Sequence, residues 1–113
     1  MVFNVLARNR DDHTKNHAFL MGADGTWSPS PAYDLTLSEG PGGEHNLDVA
    51  GEGRRPGTSH FHKVAAKAGI AKATANALQE QVAAAIGRWT RHAEAAGLPE
   101  QRAMEVASLL GVP

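Results

Sequence analysis

The sequence contains no cysteine, so neither a disulfide framework nor a thiolate zinc site is available to it. Aromatic residues make up only 5% while alanine is abundant, so large interlocking rings cannot dominate the interior and a helical core with small contacts is expected. An excess of one charge is also missing. Eleven Lys and Arg stand against 12 Asp and Glu, for a formal net charge of −1, which lacks the basic face that general nucleic-acid binding needs. No apolar run approaches the ~20 residues of a membrane span, and the short apolar stretch after Met1 has no basic region before it. No membrane partner, secretion signal or direct nucleic-acid contact is therefore expected, and the cytoplasm is the expected location.

What is present fits one domain. The chain has 113 residues, of which 42% are hydrophobic, enough to expect a substantial core. Residues 1–7 are mostly apolar and read equally as the last turns of a helix or as a strand. Residues 9–16, "NRDDHTKN", concentrate polar groups between that stretch and the apolar run "AFLM", so a polar loop tethered by core on both sides is expected. Residues 18–35 read as a hairpin: a strand-like "HAFLM", a turn at "GADG", and a return through "TWSPSPAYDL", with Pro29 and Pro31 confining the return limb to an edge. Residues 36–57 are glycine-rich with no helical period, a long loop either mobile or draped over the surface.

The remainder, 58–113, is expected to be helical. One helix starts with Thr58 or Ser59 as its N-cap and stops at Gly69. A longer one runs from about Lys72 to Ala96 with Leu78, Val82, Ile86, Trp89 and Ala93 as a single apolar stripe, expected to be internal core. Gly97 ends it. Pro99 then opens a third helix as its N1 residue, with Met104, Val106, Leu109 and Leu110 buried. The expected fold class is mainly α with a small β-hairpin.

Within the polar loop, Asp11 and Asn16 are spaced as D-x-x-x-x-N, the pattern of the protein-kinase catalytic loop. Phosphoryl transfer needs a group to orient a hydroxyl and accept its proton, and hard oxygen ligands for Mg²⁺. An Asp serves the first need and an Asn carbonyl shares the second. A second carboxylate must arrive from elsewhere, and Asp34 in "AYDL" is the candidate that a hairpin would return to the loop. Lys15 is available to a phosphate or to the Asp11 carboxylate, and Arg10 precedes Asp11 as an Arg does in H-R-D.

These blocks together carry a resemblance. "FNVLARNRDDHTKNHAFL", then "WSPSPAYDLTLS" and "GPGGEHNLDVAGEG", resemble the C-terminal part of the HipA family, bacterial serine/threonine kinase toxins of toxin–antitoxin operons with a kinase fold related to phosphatidylinositol kinases. The resemblance implies the C-terminal lobe of a kinase-like fold and ATP- and Mg²⁺-dependent phosphoryl transfer to protein hydroxyls. It implies Asp11 as catalytic base, His13 and Lys15 shaping the loop with Lys15 near the transferred phosphate, and Asn16 and Asp34 as Mg²⁺ ligands. Leu35 and Thr36 stand where other kinases continue DFG with Phe and Gly. Asp12 receives no role. The implied partners are a helix-turn-helix antitoxin and protein substrates that include aminoacyl-tRNA synthetases.

Kinases of that family are several times this length, and their ATP-binding lobe precedes the catalytic loop, where only ten residues precede Asp11 here. The expectation is a C-lobe without its N-lobe: a fragment, a truncated gene, or half of a split kinase that pairs with a separate N-lobe chain. Little or no kinase activity is expected of it alone. The alternative is a non-catalytic interaction domain whose helical face binds an antitoxin or an N-lobe chain, with Asp11 and Asp12 merely capping a turn. His13 and His17 would share a metal-binding face only on a helix, and H-x-x-x-H lacks the zincin Glu. His60 and His62 are expected at the surface, and His45 is left open between structure and function. Trp27 is expected to pack as a lid on the hairpin, and Trp89 to be core.

Overall fold

Alanine and straight-chain residues fill the second half of the chain, and they fold there into short helices closed by glycines. In the computed structural model, which describes residues 1–113, five α-helices and one hairpin follow in the order α1 (Val2–Leu6), β1 (Phe19–Met21), β2 (Trp27–Pro29), α2 (Thr58–Lys67), α3 (Lys72–Ile86), α4 (Trp89–Ala95) and α5 (Glu100–Leu110). The architecture is mainly helical with one small antiparallel sheet. No helix is long and apolar enough to cross a membrane. α3 packs against both α1 and α2, while α4 and α5 pack on each other.

The helix stops follow from backbone chemistry. Gly69 has φ +68°, its N–H donates to the Ala66 carbonyl, and the next N–H, of Ile70, reaches back to Ala65. Gly97 at φ +69° repeats this with Glu94 and Ala93. Both are Schellman closures, which need a residue that tolerates the left-handed region.

Other expectations need correction. The single helix expected from Lys72 to Ala96 is two helices: the Arg88 N–H bonds Ala85 rather than the carbonyl four residues back, and Arg88 then accepts from His92 as α4 begins. Gly87 lies at this break, where helix propensity is weakest, about 1 kcal/mol below alanine. The turn re-aims α4 so that the Trp89 indole N–H donates to the Ala103 carbonyl of α5 at 2.9 Å. Pro99 is the N-cap of α5 rather than N1: its ψ of 137° is extended and its carbonyl accepts from Ala103. The N-cap of α2 is Gly57, whose N–H donates to Nδ1 of His60, so neither Thr58 nor Ser59 caps it.

The core is smaller than the composition suggested. Seven apolar residues are buried, Val49, Phe61, Ala65, Ala75, Ala93, Val106 and Ala107, and four of them are alanine. Of the expected stripe only Ala93 is buried; Val82, Ile86 and Trp89 are half-buried and Leu78 is exposed. Met104, expected inside, is 66% exposed on the outer side of α5. The accessible surface is 7741 Å², against about 6,000 Å² for a compact monomer of this mass. The radius of gyration, 15.6 Å, likewise exceeds the ~13 Å of a compact chain this long. Apolar faces that a rounder domain would bury are therefore on the surface.

The hairpin shows this most plainly. Phe19 pairs with Pro29, Leu20 with Ser28 and Met21 with Trp27, so Phe19, Met21 and Trp27 share one face. None of them is covered: Phe19 and Trp27 are each 65% exposed. The run expected to tether the polar loop from the core is thus at the surface, and Trp27 does not pack as a lid. The turn is as read. The Thr26 N–H and then its hydroxyl donate to the Asp24 carboxylate and hold that carboxyl below its ordinary range.

Candidate functional site

The polar loop is built against two other segments. Leaving α1, the chain turns at Arg8, with φ +52°, and lies beside Ser38 as a short parallel bridge. Ser38 N–H donates to the Arg8 carbonyl at 3.0 Å and Arg10 N–H to the Ser38 carbonyl at 3.2 Å. Asn9 is buried, and its Nδ2 donates to Asn4 Oδ1 and to the Asp34 carbonyl, both at 3.3 Å. Residues Thr14–Asn16 form one 3₁₀ turn. Asn16 Nδ2 closes it by donating to the Asp11 carbonyl at 3.2 Å, and the Tyr33 hydroxyl donates to the Lys15 carbonyl at 2.6 Å. Two bonds from the hairpin's return limb, through Tyr33 and Asp34, therefore seat it on the loop.

The glycine-rich segment supplies the other wall. It was expected to be mobile or draped over the surface; it lies at the surface, held by its own bonds as a clamp. His45 N–H donates to the Gly53 carbonyl, Val49 and Glu52 pair across a tight turn, and Val49 is buried. The Glu52 carboxylate accepts from the N–H groups of Arg55 and Arg54, which hold its carboxyl below the ordinary range. Gly40, at φ +66°, admits close approach: a Cβ there would strike the Glu44 carbonyl and the Arg10 side chain.

At the centre of the clamp is a buried hydrogen-bonded pair, Asp12 and His45, that sequence reading did not assign. Asp12 is only 3% exposed. Its Oδ2 lies 3.0 Å from Nδ1 of buried His45, and its Oδ1 accepts from the Leu47 N–H at 3.2 Å. A carboxylate only accepts, so Nδ1 carries the donated proton. Beside it, Asn46 Nδ2 donates to Oδ1 of Asp11 at 2.9 Å. Asn46 was missed altogether. The available signal was the apolar alternation Leu47–Val49 directly after the polar pair His45–Asn46, a fragment of half-buried extended chain inside an otherwise glycine-rich run.

The five residues singled out from sequence are arranged as follows. Asp11 is exposed, with one carboxylate oxygen bonded to Asn46 and the other unbonded. His13 Nε2 stands 4.0 Å from that bonded oxygen, at the limit of an ion pair. Lys15 is exposed and forms no ion pair, so of the two partners open to it the Asp11 carboxylate is not engaged. Asn16 and Asp34 line one open cavity of about 280 Å³, together with Asn9, Tyr33 and Phe19. Asp11 is outside that lining.

The donor chemistry of Asn16 and Asp34 suits a hard cation. The Asn16 amide nitrogen is spent on Asp11, which leaves its Oδ1 as an oxygen donor; the Asp34 carboxylate has no partner within the chain. No cluster of three His, Cys, Asp or Glu forms a closed metal cage, and His13 and His17 do not share a helical face. Two oxygen donors fit Mg²⁺, which usually takes one or two protein ligands and completes its shell with phosphate and water. Asp34 itself sits at φ +53°, a conformation costly for a non-glycine residue. A second cavity, about 380 Å³, between α1, α3, α4 and α5 is mostly apolar, with Thr36 and His92 as its polar lining residues.

Residues 1–90 match the sequence profile of the HipA-like C-terminal domain. That range holds the polar loop, the hairpin, the glycine-rich clamp, α2 and α3, and leaves most of α4 and all of α5 outside. No curated protein and no solved structure matches the chain. With four-fifths of its length inside the profile, the chain belongs to the HipA-like C-terminal domain family.

Proposed function

We propose that the chain carries the catalytic-loop part of a HipA-like serine/threonine kinase site, in which the γ-phosphoryl group of ATP passes to a protein hydroxyl. The observation that carries the reading is that Asn16 and Asp34, 18 residues apart in sequence, line one open cavity beside the Asp11 loop. In this reading Asp11 orients the substrate hydroxyl through its unbonded oxygen and takes the proton as the phosphoryl group transfers. Asn16 Oδ1 and the Asp34 carboxylate hold Mg²⁺, which when bound neutralises charge on the phosphates. Lys15, free of any ion pair, is the cation available to the transferred phosphate, and His13 shapes the loop beside Asp11. Catalysis of this kind is mostly positioning and charge stabilisation, so a rigidly clamped loop is its main requirement. The nucleotide-covering lobe that such a site needs is not formed by these helices and hairpin; a separate N-lobe chain is one source of it.

A second reading has its own observation. The exposed face of Phe19, Met21 and Trp27 favours a protein-binding role, with a helix-turn-helix antitoxin or an N-lobe chain as the family's implied occupants. An NMR titration of the chain with ATP and Mg²⁺, run beside Asp34→Asn, tests the first. Shifts centred on Asn16 and Asp34 that the variant loses are the expected result. No shift at either residue means that the metal half of the site is not preformed in this chain: either the loop takes shape only against the covering lobe, or the motif survives in a domain used for binding.

A further inference from the structure

Asp11 is an exposed side chain on an irregular loop, the kind of group that ordinarily samples several rotamers. Its surroundings oppose that freedom. Asp12, the next residue, grips both neighbours of Asn46: the His45 ring through Oδ2 and the Leu47 N–H through Oδ1. Arg10, the preceding residue, accepts from Asn46 itself, from the backbone N–H at 3.1 Å and from Nδ2 at 3.3 Å. The contact between Asn46 Nδ2 and Asp11 Oδ1 is thus flanked by hydrogen bonds on each side, one set made by the buried Asp12 carboxylate.

We infer that Asn46 is a positioning residue for Asp11: it fixes one carboxylate oxygen so that the other faces the substrate hydroxyl, and the Asp12–His45 pair holds Asn46 in place. The inference rests on the reading of Asp11 as the base. Asn46 is a donor that asks nothing of the nucleotide. Its loss should disorder the base and leave Mg²⁺ and ATP binding alone, which separates it from Asn16 and Asp34.

The test is NMR on the full chain, comparing wild type with Asn46→Ala and with the isosteric Asn46→Asp, which cannot donate to a carboxylate at neutral pH. Backbone resonances of Val49 and Phe61 report whether the fold is retained. Side-chain couplings of Asp11 should show one χ1 rotamer in the wild type and averaging in both variants. In wild type the Asn46 side-chain amide protons should exchange about tenfold more slowly than in Asp11→Ala, as expected for a hydrogen bond to a charged group. The ATP–Mg²⁺ midpoint at Asn16 and Asp34 should stay within about twofold of wild type in Asn46→Ala. A single Asp11 rotamer that survives both variants with the fold intact overturns the inference, as does an averaged rotamer in the wild type. The metal site is read separately: an ordered Asp11 held by Asn46, with no response to ATP and Mg²⁺, leaves the positioning contact standing without a preformed Mg²⁺ half-site in this chain.

Discussion

The clamp around residues 8–12 and 38–53 and the hairpin at 19–29 reverse the usual distribution of residues. In the clamp, Asn9, Asp12 and His45 are buried. In the hairpin, Phe19, Leu20, Met21 and Trp27 are exposed. Burying a polar group is costly unless it is hydrogen-bonded, and Asp12, His45 and the Asn9 amide nitrogen are bonded within the chain, while Asn9 Oδ1 is buried without a partner. Apolar groups stay outside where nothing in the chain reaches them. The difference teaches that this chain uses its limited interior to hold the polar loop against the glycine-rich segment, and leaves Phe19, Leu20, Met21 and Trp27 at the surface.

The strongest way to break this comparison is Asp12→Ala. It removes the hydrogen-bond partner of a buried histidine and the acceptor of the Leu47 N–H, and should cost about 1–3 kcal/mol of stability in urea unfolding. The double variant Asp12→Ala with His45→Ala should lose less than the sum of the single losses, because the second change removes the group the first leaves unpaired. A loss below ~1 kcal/mol for Asp12→Ala would mean that the buried pair does not hold the clamp.

A smaller effect comes from Glu52. Its carboxyl titrates lower in the folded chain than in the unfolded one, because the Arg55 and Arg54 N–H groups favour the charged form. The folded state therefore binds fewer protons around that range, and the contribution is present in full above the ordinary carboxyl value. It is lost as pH falls through the lowered folded value. Glu52→Gln should flatten that acid limb of the stability profile, measured by unfolding at a series of acidic pH values. An unchanged limb would remove Glu52 from the clamp's energetics.

The smallest effect sharpens the other side. Trp27→Ser replaces a large ring that is two-thirds exposed, so the stability of the isolated chain should change by no more than about 0.5 kcal/mol. Binding to whatever covers the hairpin should fall far more. A large stability loss would show that the ring packs within the chain and that the exposed face is not a partner surface.

The D-x-x-x-x-N spacing and the return of Asp34 were legible because each rests on few assumptions: a fixed spacing and one hairpin. The hairpin turn was legible because Asp24 and Thr26 bond within two residues of each other. Exposure was not legible. "AFLM" and the stripe through Leu78 read as core because apolar residues usually are, but whether a face is covered depends on what the rest of the chain brings to it. Asp12 and Asn46 were passed over for the same reason, since their partners lie 33 to 36 residues away.

The sequence by itself determined the local features: helix stops at Gly69 and Gly97, the turn at 22–26, and the polar loop with Asp11 and Asn16 at fixed spacing. Each depends on hydrogen bonds among residues within about one helical turn, and such bonds are set by backbone preference and local side chains. Only the tertiary structure decided that the glycine-rich segment is a clamp, that Asp12 and His45 are buried together, and that Asn46 reaches Asp11. Burial belongs to the whole chain, and a hydrogen bond gains or loses its worth according to how much water is left around it.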